Sequence, residues 1–243
     1  GEAVYDRTFF EWLAFEGHKV APTTIQGLQF QKTYPQLFST YYNRLDLQAR
    51  ANKINAFHPH LTLIIHYNAH GRRDPFTQEN IPENYNYNMV FIGGSFCKGE
   101  LSTLANREEF LRLLLTDDLD LSMLLSEQVI NQFTEKTEVP PVHPNDPVPY
   151  LKSVSLQLGK GIYARNLFLT RTVHGPLCYG ESLCQDDRKE CIRLNERNLD
   201  MNQIQGPKRV EQVARAYYEA VKIFIGSSNH LKIPINADPN PGS

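Results

Sequence analysis

The chain has 243 residues, 41% apolar and 21% charged, which is long enough to bury one sizeable core. Its 25 Lys and Arg nearly balance 27 Asp and Glu, which disfavours nucleic acid or an acidic membrane held by bulk charge. The sequence has no apolar run long enough for a membrane-spanning helix, which needs about 18 residues.

From the start, AVYDRTFFEWLAFEGHKV reads as a helix to Glu16, with Val4, Phe9 and Leu13 able to share one face and Gly17 as its C-cap. HKVAP then reads as a short strand, and residues 22–43 as a loop rich in Gln, Thr and Tyr. Residues 45–57 predict a second helix, with Leu45, Ala49, Asn52 and Ala56 at helical spacing, broken by His58-Pro59-His60. LTLIIHY is a strand whose apolar start, Leu61 to Ile65, suits burial on both faces. Residues 71–88 form a polar loop, which after a buried strand suits a functional role. MVFIGG is a further strand. Helical periods follow over 107–115 and 119–136, the second carrying Leu121, Leu124, Leu125, Val129 and Phe133.

VPPVHPNDPVP reads as a Pro-rich surface connection. A strand is expected at Asn166 to Thr170, and another within 176–182, ending at Glu181. The last helix spans 207–225, opened by Pro207, with a buried stripe of Val210, Val213, Ala214, Tyr217, Val221 and Phe224. Strands alternating with helices predict an α/β fold. We expect one domain over 1–228, a mostly parallel twisted sheet with helices on both faces, and an extended tail over 229–243. Such sheets bind ligands beyond the carboxyl ends of their strands.

His66 ends the apolar strand. Alone it is as readable as a satisfied core histidine. Glu181 also ends a short apolar strand, where an unpaired carboxylate is expensive to bury, so it calls for a metal, a base or water. Glu2 precedes a helix, where a negative charge is favourable in any case. Asn68 either orients substrate or stabilises a turn, and His70 either bonds substrate or is an exposed loop residue. Arg165 is a candidate for binding a peptide carboxylate. Gly93-Gly94 lacks the Lys-Ser/Thr of a phosphate loop, and no Gly-x-Ser-x-Gly elbow occurs. Cys97, Cys178, Cys184 and Cys191 show no CxxC pattern. Either all four are reduced and packed, or Cys184 and Cys191 form a local bridge.

Four stretches in order, GEAVYDR, NRLDLQARANKIN, LTLIIHYNAH and GPLCYGESLCQDDRKECIRL, resemble those of zinc-dependent N-acetylmuramoyl-L-alanine amidases of bacterial cell-wall turnover. The resemblance runs from Glu2 to about Ile225. It implies a Zn2+ hydrolase acting on peptidoglycan in the periplasm or outside the cell, with Glu2 and His66 as zinc ligands and Glu181 as the catalytic carboxylate. A further ligand in that family is a histidine in a Gly-His-Gly-Gly turn after the first strand. No such turn precedes Glu2 here, so a first strand is expected upstream of Gly1. The resemblance leaves any regulatory protein unnamed. Residues 101–118, between strand and helix, are expected to cover the substrate groove. Two rival readings are another zinc peptidase, carboxypeptidase-like, and a non-catalytic peptidoglycan-binding relative.

Overall fold

The computed structural model describes residues 43–227 except 147, 202 and 203. The elements expected over 1–42 and 229–243, and the candidate ligand Glu2, lie outside the described residues. The chain separates into two compact units, residues 1–57 and 58–243.

In the first unit the described element is α1 (Asn43–Phe57), matching the helix read from the sequence. Asp46 accepts from Arg50 one turn on at 2.7 Å. His58 then takes a left-handed φ of +50° directly before Pro59, which ends the helix.

The second unit is built on a five-stranded sheet. Its strands are β1 (Thr62–Asn68), β2 (Met89–Ile92), β3 (Leu156–Gly159), β4 (Ile162–Ala164) and β5 (Leu177–Cys184). Their spatial order is β1-β5-β2-β4-β3. β1 runs parallel to β5, and β2 parallel to β4, while β2 is antiparallel to β5 and β3 to β4. The α/β expectation holds, with a mixed sheet in which two of the four pairings are parallel.

The helices are α2 (Leu104–Leu115), α3 (Asp118–Thr137), α4 (Pro149–Val154), α5 (Phe168–Thr172), α6 (Arg188–Arg193) and α7 (Lys208–Ser227). A small hairpin of β6 (Leu199–Met201) and β7 (Ile204–Gly206) precedes α7.

One sheet face is covered by the two long helices. Leu125, Val129, Ile130 and Phe133 of α3 and Val213, Ala216, Tyr217, Ala220 and Phe224 of α7 pack on Val90, Cys178 and Leu183. The buried stripe of α7 differs from the expected one: Val210 and Ala214 face solvent, and Ala216 and Ala220 are buried. Small residues there let the helix come close. The ring of Phe133 meets Tyr217 edge-on at 4.9 Å. Gly180 serves the same approach. A Cβ on it would lie 2.1 Å from the Tyr217 hydroxyl, which instead donates to the Gly180 carbonyl at 3.2 Å.

The opposite face carries Tyr87, Met89, Phe91, Tyr163 and Cys184, covered by the short helix α4 through Leu151 and by Val142 and Val148. The Pro-rich connection is therefore anchored in the core by its valines rather than lying wholly on the surface.

Two further expectations are corrected. The strand foreseen at Asn166 to Thr170 is instead the helix α5, and the strand lies just before it, at β4. A short apolar run such as NLFLT fits either element by periodicity. Here the Thr170 hydroxyl, bonded to the Arg165 carbonyl at 2.7 Å and accepting from the Leu167 amide at 3.1 Å, closes a turn. Second, residues 101–118 do not cover the carboxyl end of β5. Because β2 is antiparallel to β5, its start, Met89, sits beside Glu181, and its exit leads to the other end of the sheet. There Arg112 of α2 donates to the carbonyl of Arg171 at 2.9 Å, and Asp118 accepts from the Gly175 amide at 3.1 Å, ahead of the start of β5.

Candidate functional site

His66 and Glu181 are direct partners across the parallel pair β1 and β5. Side chains two residues apart share a sheet face, so Glu181 lies with Tyr179 on the aromatic face. The two side chains meet there: His66 Nδ1 lies 2.7 Å from Glu181 Oε2. The imidazole is 53% exposed and the carboxylate 12%. When Glu181 is ionised it accepts, so Nδ1 carries the hydrogen and Nε2 offers its lone pair. The His66 ring also leans on Tyr179, with centroids 5.8 Å apart.

Burial pushes the Glu181 carboxyl pKa up from its ordinary value. The His66 hydrogen bond and the charges of His66 and Arg165 oppose the rise without cancelling it. A buried carboxyl with a raised pKa, held against an imidazole, is a candidate group for proton exchange. Two cavities, of about 190 and 510 Å³, lie elsewhere, and neither is lined by His66 or Glu181.

β5 continues past Glu181 to Cys184, and its register against β1 slips there, skipping Leu183. Leu183 holds a φ of +36°, so it is the extra residue of a bulge immediately after the site. Two asparagines hold this bulge. Asn88 Oδ1 accepts from the Leu183 amide at 2.9 Å, and Asn86 Oδ1 from the Cys184 amide at 2.8 Å. Asn88 Nδ2 donates to the Val139 carbonyl at 2.7 Å and to Thr137 Oγ1 at 3.2 Å.

The sequence reading passed over both residues. Their signal is the alternation Asn84-Tyr85-Asn86-Tyr87-Asn88, in which Tyr85 and Tyr87 pack on the aromatic face while Asn86 and Asn88 reach β5. Asn88 is fully buried, so Asn88→Ala strands several polar groups and is expected to cost about 2–4 kcal/mol in chemical denaturation. A loss below about 0.5 kcal/mol, as at ordinary surface positions, would count against this bracing role.

The remaining candidates divide. Asn68 is buried, and its Oδ1 accepts from the next amide, Ala69, at 2.8 Å, a turn-stabilising bond. His70 is half-buried. Its Nε2 donates to the Tyr85 carbonyl at 2.6 Å and its ring meets Tyr87 edge-on, while its amide donates to Asp186. These bonds tie the 71–88 loop to the end of β5. Arg165 stands farther along the aromatic face, its guanidinium 5.4 Å from the Phe91 ring centre and 5.3 Å from that of Tyr150. The four cysteines are free thiols. Cys184 faces the buried tyrosines with its pKa pushed up to about 12 by burial, and Cys191 donates to the Gln185 carbonyl.

Whether the site suits zinc is a question of its donors. Zinc takes imidazole nitrogen and carboxylate oxygen, and a ligating histidine usually donates its other ring hydrogen to a carboxylate. Among the described residues, His66 and Glu181 offer these two donor types side by side. Among the described residues no cluster of three or more His, Cys, Asp or Glu is present. No helix among them is long and apolar enough to cross a membrane.

No family model matches the chain, and no curated protein matches it. Solved structures do. The N-acetylmuramyl-L-alanine amidase Ami1 from Mycobacterium smegmatis is similar with a TM-score of 0.46 and 14% identity, over 74% of this chain and 61% of that one. The N-acetylmuramoyl-L-alanine amidase AmiC2 of Nostoc punctiforme gives 0.43 and 13%, over 74% and 65%. The CwlD amidase from Clostridioides difficile, solved in complex with the GerS lipoprotein, gives 0.47 and 14%, over 84% and 71%. The chain spans less than two thirds of the length of the first two. With identities and TM-scores this low, any function for the chain has to be argued from its own residues, above all the His66–Glu181 pair.

Proposed function

We propose that this protein hydrolyses the amide between N-acetylmuramic acid and L-alanine in peptidoglycan, in the bacterial periplasm or outside the cell, with Zn2+ as its cofactor. The observation that carries the reading is the His66–Glu181 contact of 2.7 Å. Two residues 115 positions apart, each singled out from its own motif, meet at the carboxyl ends of adjacent parallel strands, where sheets of this class place chemistry.

His66 would hold the metal through its imidazole, beside the Glu181 carboxylate. By sequence resemblance Glu2 is a further donor. Zinc, when bound, supplies a Lewis acid and a water acidified to a pKa of about 7. Glu181 takes a proton from the attacking water and delivers it to the amide nitrogen as the C–N bond breaks. The products are a lactyl carboxylate and a free amine on L-alanine. The hydrogen bond from His66 keeps the Glu181 carboxylate aimed, and its partial burial makes the proton affordable to carry.

The test is zinc content and product analysis on the full chain with purified muropeptides. One zinc per chain and a free L-alanine amine on the stem peptide are expected. Release of a C-terminal amino acid would establish the carboxypeptidase-like alternative. Binding without cleavage in the presence of zinc would establish a non-catalytic binder. His66→Ala is expected to lose the metal, and Glu181→Gln to keep it while losing cleavage. Unchanged zinc affinity in His66→Ala would remove His66 from the metal shell.

A further inference from the structure

Arg165 has an unusual setting. It follows β4, and its amide donates to the Ile92 carbonyl at 3.0 Å, so its position at the sheet is set by backbone. Its side chain turns back over the aromatic face, where the guanidinium contacts two rings, Phe91 from the sheet and Tyr150 from α4. Such contacts hold a guanidinium in place by attraction to the rings and occupy none of its five N–H donors with a hydrogen-bond acceptor. Among the described residues none of those donors has a hydrogen-bond acceptor. The nearby carboxylate does not serve, since Glu181 is paired with His66, although the charge of Arg165 is felt at Glu181, Tyr150 and Tyr179.

The same face leads from the dyad to this arginine by ring contacts. His66 leans on Tyr179, and Tyr179 meets Phe91 edge-on with centroids 6.3 Å apart. Phe91 in turn lies under Arg165. Tyr179 is half-buried and Phe91 fully buried, so the rings form a packed floor between the dyad and the guanidinium.

We propose that Arg165 is the anion subsite of this sheet face, binding a free carboxylate carried by the substrate peptide within two or three residues of the bond that is cut. An extended peptide covers about 3.3–3.6 Å per residue, and the charge of Arg165 is felt at Glu181 itself, which sets the guanidinium within a few residues of the dyad. A guanidinium edge receives a carboxylate in two parallel hydrogen bonds, and the rings beside it pay in advance the entropy of fixing it. The inference rests on the proposed reaction for the identity of the peptide, and on the geometry of Arg165 for the charge it selects.

The experiment compares two muramyl peptides, one with a free carboxylate on the residue after L-alanine and one with the carboxamide in its place. Binding to the full chain is measured by calorimetry, and cleavage in parallel with zinc. The carboxylate peptide is expected to bind about 10–100-fold tighter, the worth of one charge-assisted bidentate pair. Arg165→Gln should remove that preference by weakening only the carboxylate peptide, and Arg165→Lys should restore part of it. Equal binding of both peptides to the unaltered chain, no binding of either, or an equal loss for both in Arg165→Gln would overturn the subsite. Preferential binding without cleavage leaves the subsite standing and overturns the proposed reaction instead.

Discussion

Glu181→Gln is expected to lower turnover by about 10²–10⁴-fold, the usual contribution of a positioned acid–base group, while raising thermal stability at a pH where Glu181 is ionised. Glutamine keeps the shape of the side chain and its contact with His66, but it cannot take up a proton and release it again. The stability effect follows from burial. The carboxylate is 12% exposed, and loss of solvent is the largest cause of its raised pKa. For an acid raised in the folded state, the contribution to stability is full below the ordinary carboxylate range and is lost as pH rises through the folded value. Once the pH exceeds that folded value, the native protein bears the cost of an ionised, partly desolvated carboxylate, and the glutamine variant does not. Melting curves between pH 4 and 8 check this: the variant should melt higher at the top of that range, with the gap closing toward pH 4. A variant that melts lower throughout would show that the bond to His66 outweighs burial. The opposition between activity and stability is itself a mark of a functional carboxylate.

Arg209→Met carries the largest expected cost to the fold, about 3–5 kcal/mol, because it strips the buried Glu190 carboxylate of its two-point partner and leaves it only the longer contact with Arg193 at 3.5 Å and the Asn86 bond. Arg209 is 4% exposed and Glu190 1%. The guanidinium meets the carboxylate through Nε at 2.6 Å and a terminal nitrogen at 2.5 Å, and its other terminal nitrogen donates to the Thr137 carbonyl at 2.7 Å. This pair joins α6, α7 and the end of α3 under the site. Glu190 also accepts from Asn86, which holds Cys184, and the Thr137 hydroxyl accepts from Asn88, which holds Leu183. The ion pair is thus the root of the polar network that fixes the bulge after Glu181. Chemical denaturation of Arg209→Met measures the loss. The double variant Arg209→Met with Glu190→Met should recover most of it, since two apolar side chains leave no stranded charge. A double variant as unstable as the single one would show that the backbone bonds, and not the buried charge, set the cost.

Apolar runs and helix breakers were enough to locate α1, β1, β2, α3 and α7. Met89 to Ile92 and Thr62 to Asn68 are short apolar strands between polar stretches, and Pro207 and His58-Pro59 mark helix limits by the geometry of the ring. They did not separate α5 from a strand, since the run around Leu167 to Thr170 satisfies both patterns and a single threonine hydroxyl decides between them.

The position of Glu181 was legible for the same reason, as a carboxylate too costly for the apolar segment it ends. So was that of His66. That the two face each other was not, because it depends on β5 lying beside β1 in one register, and a shift of one residue would send the carboxylate to the opposite face. The register is set by contacts remote in sequence: Gly180 under Tyr217, and Asn86 and Asn88 on the bulge at Leu183. Those partners are 37 to 98 residues away from the strand they position. The amino-acid sequence by itself determined which residues are too polar for their surroundings. Only the tertiary structure decided which of them became neighbours, because burial is a property of one segment whereas pairing is a property of two.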